Sequence, residues 1–214
     1  MEQSKKTAIT KQKILDAAEN EFAKFGLAAA RVDSIAKNAG VNKQLIYAHF
    51  SSKENLYSVI LEIVYARLAE YEKKLECTEF SGTDTCREII LDYFDFLVNN
   101  PAFVRLMLWE NLNNAACVGD VHTNLFEGTQ NLLRRGIEKG YVRSDIDVEQ
   151  TAMSFNLFCF SAFSNIHTVS KLLKKDLNTK EELKKRAEHI ADVLSEYTVR
   201  ITPDTQKGRM YKHD

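Results

Sequence analysis

The chain has 214 residues, and its 44% apolar share excludes a disordered protein. It has only 8 Gly and 2 Pro, where average usage would supply about 25 together; so few turn residues exclude a β-sandwich and point to an all-helical fold. The net charge of −1 is unevenly spread: residues 1–60 carry 9 basic and 6 acidic side chains (+3), the rest 20 and 24 (−4), so any polyanionic partner is expected at the N-terminal part.

Helix signals run along almost the whole chain. Ile14, Ala18, Phe22 and Phe25 repeat at helical spacing before a stop at Gly26. A short helix, Val32–Ala39, ends at Gly40, and Asn42 is placed to cap a second one, Lys43–His49. Ser51-Ser52-Lys53-Glu54 reads as a capping box opening a long helix whose apolar face runs Leu56, Ile60, Val64, Leu68, Tyr71, Leu75. After a loop at Phe80–Thr83, helices are predicted over Thr85–Asn99, from Pro101 to about Asn113, and over Asp120–Lys139 with a stop at Gly140. Asp147…Gln150 opens an aromatic-rich helix to about Leu173, and Thr179…Glu182 opens the last, which Pro203 ends. The reading is about nine helices: three short ones in a headpiece, residues 1–51, then a larger helical domain, 52–203, and a polar tail, 204–214. Gly128 and Gly136 sit within one helix, where they allow another to approach closely.

No apolar run reaches the ~18 residues of a membrane span, and the first residues lack the apolar stretch of a signal peptide. Cys77, Cys86, Cys117 and Cys159 are scattered, with no C-x-x-C pair. That suits buried thiols in a reducing cytoplasm better than disulfides or zinc. No G-x-S-x-G, H-E-x-x-H, Walker A or G-x-G-x-x-G motif occurs, so no enzyme activity, metal or cofactor is expected.

The short Gly40-Val41-Asn42 connection between two short helices is a helix-turn-helix pattern. The segment Phe22-Ala23-Lys24-Phe25-Gly26, then Ile35-Ala36-Lys37-Asn38-Ala39-Gly40-Val41, then Tyr47-Ala48-His49-Phe50-Ser51-Ser52-Lys53-Glu54-Asn55-Leu56, resembles the DNA-binding headpiece of the TetR (tetracycline-repressor-like) family of bacterial transcription regulators. The resemblance covers about residues 9–58. Asn100-Pro101-x-Phe103 and Asn165-x-His167-Thr168 look like a subgroup of that family.

An α-helix fits the major groove with its first residues on base edges, which nominates Lys43, Gln44 and Leu45. Gln44 suits adenine, Lys43 suits guanine or a phosphate, and Leu45 suits a thymine methyl. The resemblance implies phosphate contacts for Tyr47 and His49. Lys53, in a first helical turn, and Asn42, a cap, join them. The family commonly has Thr or Ser just before its second helix; here Ala30-Arg31 stands there. Arg31 either makes a stronger phosphate bond or leaves that helix less well capped.

The resemblance further implies a ligand-responsive homodimer, most simply a repressor released from an operator in double-stranded DNA by a small-molecule effector. Pocket residues are expected among Phe103, Met107, Trp109 and Glu110 and among Phe126, Asn156, Phe160 and His167, with Asn113 and His122 as further polar groups. The dimer is expected on two apolar stripes: Phe155, Cys159, Ala162, Phe163 and Ile166, then Leu183, Ala187, Ile190, Leu194 and Tyr197. Those stripes are covered either by a second copy or within one chain. The rival reading is a helical ligand-binding or scaffold protein that no longer reads DNA, against which Gln44, Tyr47, His49 and Lys53 weigh.

Overall fold

The computed structural model describes residues 2–116 and 126–199, so Cys117, His122, Pro203 and the polar tail lie outside the described residues. The helices are α1 (Glu2–Ala29), α2 (Val32–Ala39), α3 (Lys43–Phe50), α4 (Lys53–Glu76), α5 (Thr83–Asn99), α6 (Pro101–Leu112), α7 (Glu127–Glu138), α8 (Val148–Ser164), α9 (Ile166–Leu173) and α10 (Lys180–Thr198). Among the described residues there is no strand, only an isolated bridge between Val142 and Val199.

Local side-chain caps set the starts of α3, α4, α8 and α10. Asn42 Oδ1 accepts the Leu45 N–H at 2.8 Å, Asp147 Oδ1 the Gln150 N–H at 3.0 Å, and Thr179 Oγ1 the Glu182 N–H at 3.3 Å. At the start of α4 the cap is Ser52, whose Oγ accepts the Asn55 N–H at 2.9 Å. Ser51 instead closes α3 at φ 60°, its N–H on the Tyr47 carbonyl. Two elements differ from the sequence reading. The single helix predicted over 148–173 breaks at Asn165 (φ −108°, ψ 4°) into α8 and α9. The described part of the helix predicted from Asp120 begins at Glu127, because Phe126 stands in the left-handed region at φ 72°.

The chain forms two compact units, Met1–Ala69 with Asn99–Thr123, and Glu70–Val98 with Asn124–Asp214. In the first, Ile14, Ala18, Phe22, Ile35, Ile46, Phe50, Leu56 and Tyr57 form a fully buried core, with Phe22 edge-on to Tyr57 at 4.9 Å. Helix α6 is built into this unit. The Trp109 indole N–H donates to the Ala23 carbonyl at 3.3 Å, and the Tyr57 hydroxyl donates to Glu110 Oε1 at 2.7 Å. Gly26 is required twice over: its φ of 68° is left-handed, and a Cβ there would stand 2.8 Å from the Trp109 ring. Arg67 binds Glu19 through two bonds of 2.7 Å.

In the second unit aromatic rings supply much of the core. Phe94 packs on Phe163 at 4.7 Å, Tyr93 stacks on Phe96, and the Tyr71 hydroxyl donates to the Ile89 carbonyl at 3.0 Å. Gly136 lets Val142 and Phe80 approach, since a Cβ would lie 2.5 Å and 3.1 Å from them. The Glu72 carboxylate, only 5% exposed, accepts the Thr129 N–H at 3.0 Å and the Thr129 hydroxyl at 3.2 Å. It thereby caps α7, whose own N-cap residue, Phe126, makes no side-chain cap bond. Burial raises the Glu72 carboxyl above the ordinary range, and the Thr129 and Gly128 donors offset this only in part.

Candidate nucleic-acid interface

The helix-turn-helix is held from behind by apolar contacts. Ile35, Ala36 and Ala39 of α2 are buried, and so are Ile46 and Phe50 of α3. Positions 46 and 50, one helical turn apart, commit one side of α3 to the core. Gln44, Tyr47 and Ala48, spaced three and four residues apart, then share the exposed side. Between the helices Gly40 adopts φ 68°, ψ 35° and donates its N–H back to α2. No atom lies within 4 Å of where a Cβ at Gly40 would be, so glycine is needed for its backbone conformation alone.

The candidate contact residues differ in how free they are. Among the described residues, the side chains of Arg31, Gln44 and Tyr47 have no hydrogen-bond partner, and all three are exposed, Tyr47 at 40%. Lys43 Nζ lies 3.1 Å from the exposed Asp33 carboxylate. Such a surface pair is worth little, so Lys43 is readily exchanged to a phosphate or base. Asn42 spends its carbonyl oxygen on the cap and keeps its amide N–H groups to donate outward. Leu45 and His49 are half-buried at the edge of this face, the His49 ring beside Phe50 at 6.0 Å. Lys53 is also half-buried, with Nζ 3.4 Å from the carbonyls of Ala28 and Ala30. Its charge therefore sits beside the start of α2, where Arg31 is the N-cap residue.

Arg31 makes no side-chain cap bond. Its backbone N–H instead donates to Oε1 of Glu21, a carboxylate only 7% exposed, at 3.0 Å. The sequence reading missed this support; the available signal was an acidic residue between the buried Ala18 and Phe22 on α1.

The expected pocket residues divide between the two units. On α6, Phe103 and Glu110 are buried, Trp109 is half-buried against Gly26, and Met107 Sδ receives the Tyr65 hydroxyl at 2.8 Å. In the second unit Asn156 is buried with its amide on the Ala152 carbonyl, Phe126 and Phe160 are half-buried, and His167 is exposed.

The residues of the expected dimer stripes differ in exposure within the single chain. Phe155, Cys159, Ile166, Ala187, Ile190 and Leu194 are each at most 7% exposed within the single chain. They face its own core, which is the alternative the sequence left open. Phe163 is half-buried on Phe94, and Leu183 is half-buried. The apolar side chains that α8 and α10 leave exposed are Leu157, Phe158, Val193 and Tyr197. Burial pushes the Cys86 and Cys159 thiols up to about 12, far from the thiolate a redox sensor needs.

Residues 14–60 match the family described as "Bacterial regulatory proteins, tetR family", and residues 84–194 match "Tetracyclin repressor-like, C-terminal domain". The chain is 30% identical over 183 residues to the HTH-type transcriptional repressor NicS of Pseudomonas putida, covering 80% of this chain and 84% of that protein. Its fold is similar to that of a TetR transcriptional regulator from Chloroflexus aurantiacus (TM-score 0.71, 17% identity, 92% of this chain and 100% of that one). It is also similar to the transcriptional regulator FadR from Bacillus subtilis, solved in complex with stearoyl-CoA (TM-score 0.67, 19% identity, 87% and 98%).

Proposed function

Because this chain belongs to the TetR family of bacterial transcription regulators, we propose that it is a repressor that grips its operator through α3 and releases it when a small molecule binds. The observation that carries the reading is the exposed side of α3. Gln44 and Tyr47 point outward without internal partners, on a helix whose opposite side is locked by Ile46 and Phe50. Gln44 reads a base edge, Lys43 and Leu45 flank it, and Arg31, Asn42, Tyr47, His49 and Lys53 hold phosphates. DNA recognition belongs to residues 1–51 and regulation to 52–203, with the operator placing the protein in the cytoplasm. Among the described residues no helix is long and apolar enough to cross a membrane.

Similarity to a named repressor supports the sign of regulation, and similarity to a regulator solved with stearoyl-CoA supports a small-molecule effector. Within the first unit, α6 is the element on which an effector acts. Met107 lies one turn and Phe103 two turns before Glu110, which holds Tyr57 of α4, while Trp109 packs on Gly26 of α1. A ligand that favours a shifted α6 disfavours the DNA-binding arrangement by its difference in affinity for the two, typically ~1–3 kcal/mol.

The protein acts as a homodimer, since helix-turn-helix proteins read paired half-sites. Leu157 and Phe158 of α8 with Val193 and Tyr197 of α10 supply the self-complementary apolar surface.

The test is selection of bound duplexes from random DNA, repeated with metabolite extract. One sequence should be enriched without extract and lost with an active fraction that also changes Trp109 emission. Enrichment that no fraction abolishes would refute effector release while leaving DNA recognition intact.

A further inference from the structure

We infer that Glu21 is a positioning residue for operator binding: it fixes the backbone from which Arg31 reaches a phosphate, so the inference rests on the reading of Arg31 as a phosphate contact. The turn that delivers Arg31 runs through Ala28, Ala29 and Ala30. Alanine side chains cannot hydrogen-bond, so this turn is held by its backbone groups. The Ala30 N–H donates to the Gly26 carbonyl at 3.2 Å, and the Arg31 N–H donates to Glu21 Oε1 at 3.0 Å. Lys53 adds its Nζ at 3.4 Å from the carbonyls of Ala28 and Ala30. Two charged side chains, one from α1 and one from α4, thus hold the turn between α1 and α2. Arg31 itself stands in extended backbone (φ −115°, ψ 121°), and its guanidinium is exposed without a partner among the described residues.

Stability does not account for a carboxylate at position 21. Glu21 is buried between Ala18 and Phe22 of the headpiece core, and taking a charge out of water for a backbone N–H costs more than an apolar side chain of similar length would. What the charge supplies is a charge-assisted bond, and the N–H that receives it belongs to the residue whose side chain is left free for DNA. An arginine side chain is long and loses rotamer freedom when it binds. Anchoring its backbone on α1 beforehand lowers the ordering cost of the phosphate contact. A Glu21 with no such role would act on the headpiece core alone, and its replacement would leave the number of phosphates bound unchanged.

The test measures affinity against salt concentration for the full chain, on the duplex that wild type selects from random DNA. Glu21→Met replaces the carboxylate by an apolar side chain of similar length. It should melt no lower than wild type, yet bind about tenfold more weakly. The slope of log affinity against log salt should shrink by about one per headpiece, with base preference unchanged. Glu21→Gln, which keeps an acceptor for the Arg31 N–H, should retain the wild-type slope. Arg31→Ala should reproduce the loss, and adding Glu21→Met to it should weaken binding no further. Wild-type affinity in Glu21→Met would overturn the inference, and so would weaker binding with an unchanged slope. A wild-type slope in Arg31→Ala would overturn it while leaving base reading by Gln44 intact. Failure of wild type to select any duplex would instead refute DNA recognition, and this inference with it.

Discussion

Gln44 and Glu72 show how differently single residues are written in a sequence. Gln44 is legible because everything that orients it is local: Asn42 caps the helix two residues earlier, and Ile46 and Phe50 fix which side faces the core. Glu72 is not legible. On α4 it stands at a position that helical spacing alone assigns to surface or core equally, and its partner, Thr129, is 57 residues away. Its burial has a pH signature. A carboxyl whose folded-state pKa lies above its unfolded value contributes stability fully present below the unfolded pKa and lost as pH rises through the folded one. Desolvation raises Glu72 in this sense. Glu72→Gln keeps an acceptor for Thr129 but does not titrate, so its melting temperature should fall less than wild type's between weakly acidic and neutral pH. Superimposable profiles would contradict a strained buried acid, and Glu72→Ala should cost ~1–3 kcal/mol by leaving the α7 donors unsatisfied.

At the scale of elements, helix starts were read from side chains three residues before the donor they satisfy, which is why Asn42, Asp147 and Thr179 cap where their sequence contexts place them. Two adjacent serines made the start of α4 ambiguous, and geometry separates them. Ser52 is the acceptor, while Ser51 occupies a left-handed turn. Thermal denaturation should therefore show Ser52→Ala costing about 1 kcal/mol and Ser51→Gly costing little or stabilising, because glycine relieves the positive φ. The reverse order would move the cap to Ser51. The break at Asn165 had no such signal, since no Gly or Pro interrupts Phe155–Ser170. The packing of α6 on α1 was equally unreadable, because the contact between Trp109 and Gly26 spans 83 positions of chain. Gly26 looked only like a helix stop.

For the whole molecule, the all-helical class followed from the scarcity of turn residues, but which apolar side chains the chain itself covers did not. Helical spacing identifies an apolar stripe without saying whether the same chain covers it. Phe155, Ile190 and Leu194 fill the second unit's own core, leaving Leu157, Phe158, Val193 and Tyr197 outside. Phe158→Glu with Val193→Glu should give monomers of unchanged helicity in sedimentation, with cooperative operator binding lost. Ile190→Glu, at a position 2% exposed, should instead unfold the chain, because it buries an unpaired charge. A double variant that stays dimeric would place the interface elsewhere.

The claim on which the rest depends is that the exposed side of α3 reads base edges. The most direct measurement compares the duplexes selected from random DNA by wild type and by Gln44→Ala. Wild type should enrich one two-fold-related sequence, with affinity falling steeply as salt rises because Arg31, Lys43 and Lys53 displace counterions. Gln44→Ala should recover the same sequence with the preference lost at one position of each half-site, at a cost of ~1–3 kcal/mol per site. An identical enriched sequence bound equally tightly, or no enrichment by wild type at low salt, would contradict the account.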